Sequence, residues 1–204
     1  MLVLTHGAVA GGTKTIVAFG DSLTAGYGLD PAHSYTVLLE KKLQSDGIDA
    51  KVVNAGVSGD TSTGGRARLE WTLDGLSAPP DLVILELGAN DALRGESPDL
   101  TFKNLDWMLG TLKKRGIPVL LAGMMAPPNM GREYEDKFNA IYPKLAKKYG
   151  VAFHPFFLDG VAANPKLNQG DGMHPNPEGE KIVVDRIAPY VIRALGMAKP
   201  AAKP

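Results

Sequence analysis

The stretch "IVAFGDSLTAGYG", residues 16–28, is an apolar run that stops at a glycine, an acid and a serine. Ile16, Val17, Ala18 and Phe19 are too few for a helix and read as a buried strand, so Ser22 falls where a strand ends. In open parallel α/β sheets the carboxyl ends of the strands form the ligand-binding edge. Taken alone, Asp21 and Ser22 are also ordinary turn and helix-capping residues. What they do depends on what the rest of the chain brings to the same edge.

Outward from that run, apolar segments recur as strands at 15–20, 51–55, 81–88, 118–125 and 151–156. Between them lie stripes at helical spacing. Tyr35, Leu38, Leu39 and Leu43 make one; Phe102, Leu105, Leu109 and Leu112 another; Phe138, Ile141, Tyr142, Leu145 and Tyr149 a third. A helix over 61–75 is weakened by Gly64 and Gly65, whereas 177–195 starts with Asn176 as cap and Pro177 in the first turn. Strands alternating with helices give βαβ units, hence an α/β fold with a mainly parallel five-stranded sheet covered on both faces.

The 204 residues suffice for one domain, read here as 15–196. Residues 1–14 read as a leader or signal remnant and 197–204, rich in Lys, Ala and Pro, as a disordered tail. Ala8-Val9-Ala10 resembles the small-x-small pattern of an exported chain, favouring a periplasmic or secreted protein. The missing basic lead and short apolar core leave a cytoplasmic location open. Lys plus Arg equals Asp plus Glu at 22 each, so no net charge draws the chain to nucleic acid. No apolar stretch is long enough for stable membrane insertion. Without cysteine there is no thiolate nucleophile, disulfide or cysteine-ligated zinc.

Every loop that follows a strand should open on one edge. The first carries Gly20-Asp21-Ser22, the second Asn54-Ala55-Gly56, the third Gly88-Ala89-Asn90-Asp91, and the last ends in "GDGMHPNPEG". Asp171 lies three residues before His174, close enough for the two side chains to meet. Acyl transfer by serine needs a nucleophile, a base, an acid that orients the base, and donors for the oxyanion. Ser22, His174 and Asp171 are candidates for the first three. The N–H groups of Ser22 and Gly56 and the side-chain amide of Asn90 are candidates for the last. Of the other histidines, His6 lies in the leader, His33 in a loop, and His154 in the last strand, where a hydrogen-bonded structural role is expected.

These segments resemble the GDSL, or SGNH, hydrolases, with Ser22, Gly56, Asn90 and His174 as the four marker residues. "FGDSLTAGYG", "NAGVSGDTS", "LGANDALRG" and "DGMHPNPEG" carry the match, which runs from about 15 to 195 and is similar to the bacterial arylesterase and thioesterase I/lysophospholipase branch. The resemblance implies a three-layer, flavodoxin-like α/β/α fold, a Ser22–Asp171–His174 triad, and no metal or organic cofactor. It also implies that the loop from Met125 to Tyr134 borders an acyl pocket. No Gly-x-Ser-x-Gly elbow surrounds Ser22, which argues against an α/β-hydrolase.

The expected substrate is a small carboxylic ester, aryl or short-chain acyl, with thioesters and lysophospholipids also open. Met125, Pro127 and Met130, with Met124 and Pro128, offer an adaptable apolar rim; the alternative is that these methionines pack the end of the fourth strand. Two rival functions stand beside this one. Asp21, Asp60, Asp91 and Asp171 could gather a divalent ion for phosphoester hydrolysis, or the same fold could serve as a non-catalytic acyl or glycan binder. Asp21 and Asp60 are expected to brace their loops through backbone N–H groups.

Overall fold

The computed structural model describes residues 12–196. The expected tail at 197–204 and most of the expected leader at 1–14 lie outside the described residues. Five parallel strands, β1 (Lys14–Gly20), β2 (Ala50–Gly56), β3 (Leu82–Glu86), β4 (Val119–Ala122) and β5 (Ala152–His154), form one sheet in the order β2-β1-β3-β4-β5. Ile16 to Phe19 and Leu82 to Leu85 are fully buried, as runs without alternation must be when helices cover both faces.

The helices are α1 (Ser22–Ala25), α2 (Tyr35–Ser45), α3 (Ser62–Asp74), α4 (Ala89–Leu93), α5 (Pro98–Lys114), α6 (Arg132–Asn139), α7 (Ile141–Tyr149) and α8 (Pro177–Ala194). α2 packs with α8, and α5 with α3 and α7. Right-handed crossovers account for the division. From β1 the chain steps to β2, and from β2 it crosses β1 and continues to β3, β4 and β5, so the connecting helices change face. The reversal opens a crevice between the carboxyl ends of β1 and β3. Ser22 follows β1, and Asn90 follows β3.

Strand ends differ from the expected ones for local reasons. β3 stops at Glu86 because Gly88 takes φ +121°, and the place a side chain would need is filled by the Tyr142 hydroxyl, which donates to Leu87 O at 2.9 Å. β5 stops at His154 because Pro155 has no N–H for the ladder. The stripe from Phe138 to Tyr149 is two helices, since Pro143 cannot donate to the Asn139 carbonyl and its ring crowds that group. α3 forms despite its glycines. Buried Asp91 accepts the Ser62 N–H at 2.8 Å and the Ser62 hydroxyl, placing negative charge at the helix N-terminus.

Candidate active site

Ser22 is the first residue of α1, a single turn capped by Asp21, whose Oδ1 accepts the Leu23 N–H at 3.0 Å. Its Oγ lies 2.8 Å from Nε2 of His174, across 152 residues of chain. His174 Nδ1 lies 2.6 Å from Asp171 Oδ2. The other oxygen of Asp171 accepts the N–H of Met173 at 2.9 Å and of His174 at 3.0 Å. The His174 N–H, then that of Met173, hold the Asp171 carboxyl down to about 2. An ionised Asp171 can only accept, so the proton sits on Nδ1 and Nε2 is left to accept from the Ser22 hydroxyl.

The histidine loop is fixed at several points. Gln169 N–H donates to His174 O at 2.7 Å, and Asn168 bridges to Pro175. Gln169 Nε2 donates to Tyr27 O at 2.7 Å and to Pro175 O at 3.0 Å, fastening this loop to the one that carries Ser22. The Tyr27 ring stands against the imidazole with centroids 4.8 Å apart. Neither Tyr27 nor Gln169 was singled out by the sequence; "GYG" beside the serine was the available signal.

The three expected oxyanion donors reach the same sheet edge in different states. Ser22 N–H belongs to a helix first turn and has no acceptor among the described residues. Gly56 N–H donates to Asn54 Oδ1 at 2.9 Å. A side chain at Gly56 would collide with the backbone of Thr24 and Ala25, so only glycine allows β2 to approach the Ser22 turn this closely. Asn90 Nδ2 donates to Asp21 Oδ2 at 3.1 Å and to Asp60 O at 2.9 Å.

Behind the serine lies a buried acid that the sequence reading missed. Glu86 ends the otherwise apolar "LVILE", is fully buried, and accepts the Thr24 hydroxyl at 2.8 Å and the Asp21 N–H at 3.4 Å. Burial raises it well above the usual carboxylate range, and burial likewise pushes Asp21 up to about 6. Asp21 thus braces its turn as expected and holds Asn90 as well. His154 is buried but differs from expectation: among the described residues neither ring nitrogen has a hydrogen-bond partner, and the ring packs 4.7 Å from that of Tyr190.

Met124 is buried in the core, whereas Met125 is exposed and Pro127 and Met130 are half-buried, Met130 lying against Gly95 of the β3–α5 connection. The edge has a wider apolar rim than these residues alone. Tyr27, Val57, Leu93, Met125 and Met173 are exposed, one from the segment that follows each strand, Leu93 at the end of α4. The four carboxylates of the metal-site alternative are taken up separately: Asp21 by Leu23 and Asn90, Asp60 by Arg68, Asp91 by Ser62 and Thr101, Asp171 by its own loop. Among the described residues no three His, Asp or Glu side chains gather as a metal site.

Similarity to known proteins extends over most of the chain. Residues 18–182 match the GDSL-like lipase/acylhydrolase family. The chain is 39% identical to the arylesterase of Vibrio mimicus over 188 residues, covering 92% of this chain and 93% of that one. It is 41% identical to thioesterase 1/protease 1/lysophospholipase L1 of Escherichia coli strain K12, covering 92% of this chain and 87% of the relative. The crystal structure of AlinE4, an SGNH-hydrolase family esterase, superposes with a TM-score of 0.77 at 49% identity, covering 91% of this chain and 98% of that one. The chain belongs to the GDSL-like lipase/acylhydrolase family.

Proposed function

We propose that the chain is a serine esterase that hydrolyses carboxylic esters through an acyl-enzyme. The observation that carries this reading is the continuous hydrogen-bonded line from Ser22 Oγ through His174 to Asp171, with 2.8 Å and 2.6 Å links. Similarity to an arylesterase, to a thioesterase/lysophospholipase and to a solved SGNH esterase supports it.

As Ser22 Oγ attacks the ester carbonyl, His174 Nε2 takes its proton, and Asp171 stabilises the imidazolium that forms. The carbonyl oxygen becomes an oxyanion beside the Ser22 and Gly56 N–H groups and Asn90 Nδ2. The Gly56 N–H exchanges or shares its neutral Asn54 Oδ1 partner, and Asn90 Nδ2 its neutral Asp60 carbonyl partner, for a charged one, which strengthens the bond. His174 then gives its proton to the departing alcohol. Water, deprotonated by the same nitrogen, attacks the acyl-enzyme and releases the acid and Ser22. Every proton in this sequence is held by a group of the chain, so the scheme calls for no cofactor.

Met125, Pro127 and Met130, with the exposed rim, suit an apolar acyl chain or an aryl alcohol. A length series of p-nitrophenyl esters, run beside an acyl-CoA and a lysophospholipid, is expected to favour short acyl chains. Ser22→Ala is expected to abolish turnover, and a phosphonate to label the wild type at Ser22 alone. Turnover that persists in Ser22→Ala overturns the assignment.

A further inference from the structure

One side chain outside the proposed triad touches the segments that carry Ser22 and Gly56, and also the residue whose carbonyl holds Asn90. Arg68 projects from the middle of α3. Its Nη2 donates to Gly20 O at 2.8 Å, two residues before Ser22. Its Nη1 donates to Ala55 O at 2.8 Å. Its Nε donates to Asp60 Oδ2 at 2.6 Å, and the main-chain carbonyl of that same Asp60 accepts Asn90 Nδ2 at 2.9 Å. The guanidinium carbon stands 3.9 Å from the centroid of the buried Phe19 ring.

An ion pair alone would need only Asp60. The two further bonds go to carbonyls at the ends of adjacent strands, and the one to Ala55 has a particular effect. Ala55 C=O and Gly56 N–H are the two ends of one planar peptide, so a cation bound to the oxygen fixes the plane in which the N–H points. It also draws charge toward the oxygen, which makes that N–H a better donor, as in any hydrogen-bonded chain. The pair is sheltered, with side-chain exposures of 18% for Arg68 and 13% for Asp60, so solvent screens it only partly. A planar fork with donors in fixed directions can hold three acceptors at once; an ammonium on a flexible stem cannot hold them in the same geometry.

Resting on the esterase reading, we propose that Arg68 is a positioning residue for the oxyanion hole: it orients and polarises the Ala55–Gly56 peptide and keeps the Gly20 and Asp60 segments in register with it. It touches neither Ser22 nor substrate and acts through these three segments.

The test counts active sites before it measures rate. Wild type, Arg68→Lys and Arg68→Ala are titrated to completion with a p-nitrophenyl phosphonate, and turnover of p-nitrophenyl acetate is expressed per labelled site. Losing a whole oxyanion donor costs about a hundred- to a thousandfold, so loosening the hole without removing a donor is expected to lower kcat per site by about ten- to a hundredfold, with KM within about threefold. Arg68→Lys, which keeps the charge and loses the fork, is expected to fall between the other two, and added guanidinium ion to restore part of the Arg68→Ala rate. A merely structural role gives fewer titratable sites at unchanged kcat per site, and that result, in either variant, overturns the proposal. Should Arg68→Ala not fold, Arg68→Lys alone decides between these outcomes. Failure of the wild type to label at Ser22 would instead remove the esterase reading beneath it.

Discussion

The side-chain amide of Asn90 donates to Asp21 Oδ2 at 3.1 Å, so a carboxylate, together with the Asp60 carbonyl, decides which end of the amide faces the strand ends. An ionised carboxylate only accepts, and it therefore selects the nitrogen. Asn90→Ala is expected to lower kcat by about a hundred- to a thousandfold while leaving the fold intact. Asp21→Asn, which sets a second amide against the first and leaves only the Asp60 carbonyl to hold its nitrogen in place, is expected to cost about tenfold. Steady-state kinetics on p-nitrophenyl acetate measure both. Near-normal kcat in Asn90→Ala removes it from the oxyanion hole.

Asp171 is held ionised by two N–H groups of its own loop, and its carboxyl lies at about 2. Its protonation therefore plays no part in any fall of activity between about pH 4 and 7. Asp171→Asn can donate to His174 Nδ1 and so favours the tautomer with the proton on Nε2, where it blocks acceptance from Ser22. A loss of up to about 10⁴-fold in kcat is expected, with phosphonate labelling slowed in proportion. Labelling at the wild-type rate would separate Asp171 from the base.

The Tyr27 ring meets the His174 imidazole at a 42° tilt, while the Tyr27 carbonyl takes the Gln169 amide. Only the ring is in contact, so Tyr27→Phe is expected to keep full turnover. Tyr27→Ala, which frees one side of the imidazole, is expected to lower kcat several-fold. Equal rates in the two variants would show that the ring contact is incidental.

Glu180, in the first turn of α8, is buried, and its Oε2 has no hydrogen-bond partner among the described residues. Burial pushes its carboxyl up to about 8 from an ordinary 4.5. The folded state thus keeps a proton that the unfolded state has released. The stability this proton confers is complete below about pH 4.5 and is lost as pH rises toward 8. Glu180→Gln mimics the protonated form at every pH. Its Tm is expected to match wild type near about pH 5 and to exceed it by several degrees near about pH 9. Parallel Tm curves across that range would count against it.

Much of this arrangement could be read from the chain because apolar runs and strand-end glycines are local signals. Each of the five runs contains a strand, and Ser22, Gly56, Asn90 and His174 all sit at a strand's carboxyl end or in the segment that follows one. What escaped was long-range and polar. The Gln169 bond to Tyr27 spans 142 residues, and the Arg68 bond to Gly20 spans 48. No periodicity announces such partners. Glu86 is hidden for a different reason: an acid at the end of an apolar run reads as a strand terminus meeting water, and only the packing of Thr24 and Asp21 over it makes it interior. The break before Pro143 is local, but the apolar stripe runs across it undisturbed, because α6 and α7 bury the same face.

The separation of 152 residues between Ser22 and His174 has a consequence for biosynthesis. The proposed nucleophile leaves the ribosome long before its proposed base is translated, and that base and its orienting acid then emerge together within one short loop. On the esterase reading, a prematurely terminated chain lacking that loop is expected to lose triad-dependent turnover, however much of the sheet it has assembled. Activity is then expected to appear late, with the segment that also starts α8, so that hydrolytic competence would report that translation has passed nearly the whole fold.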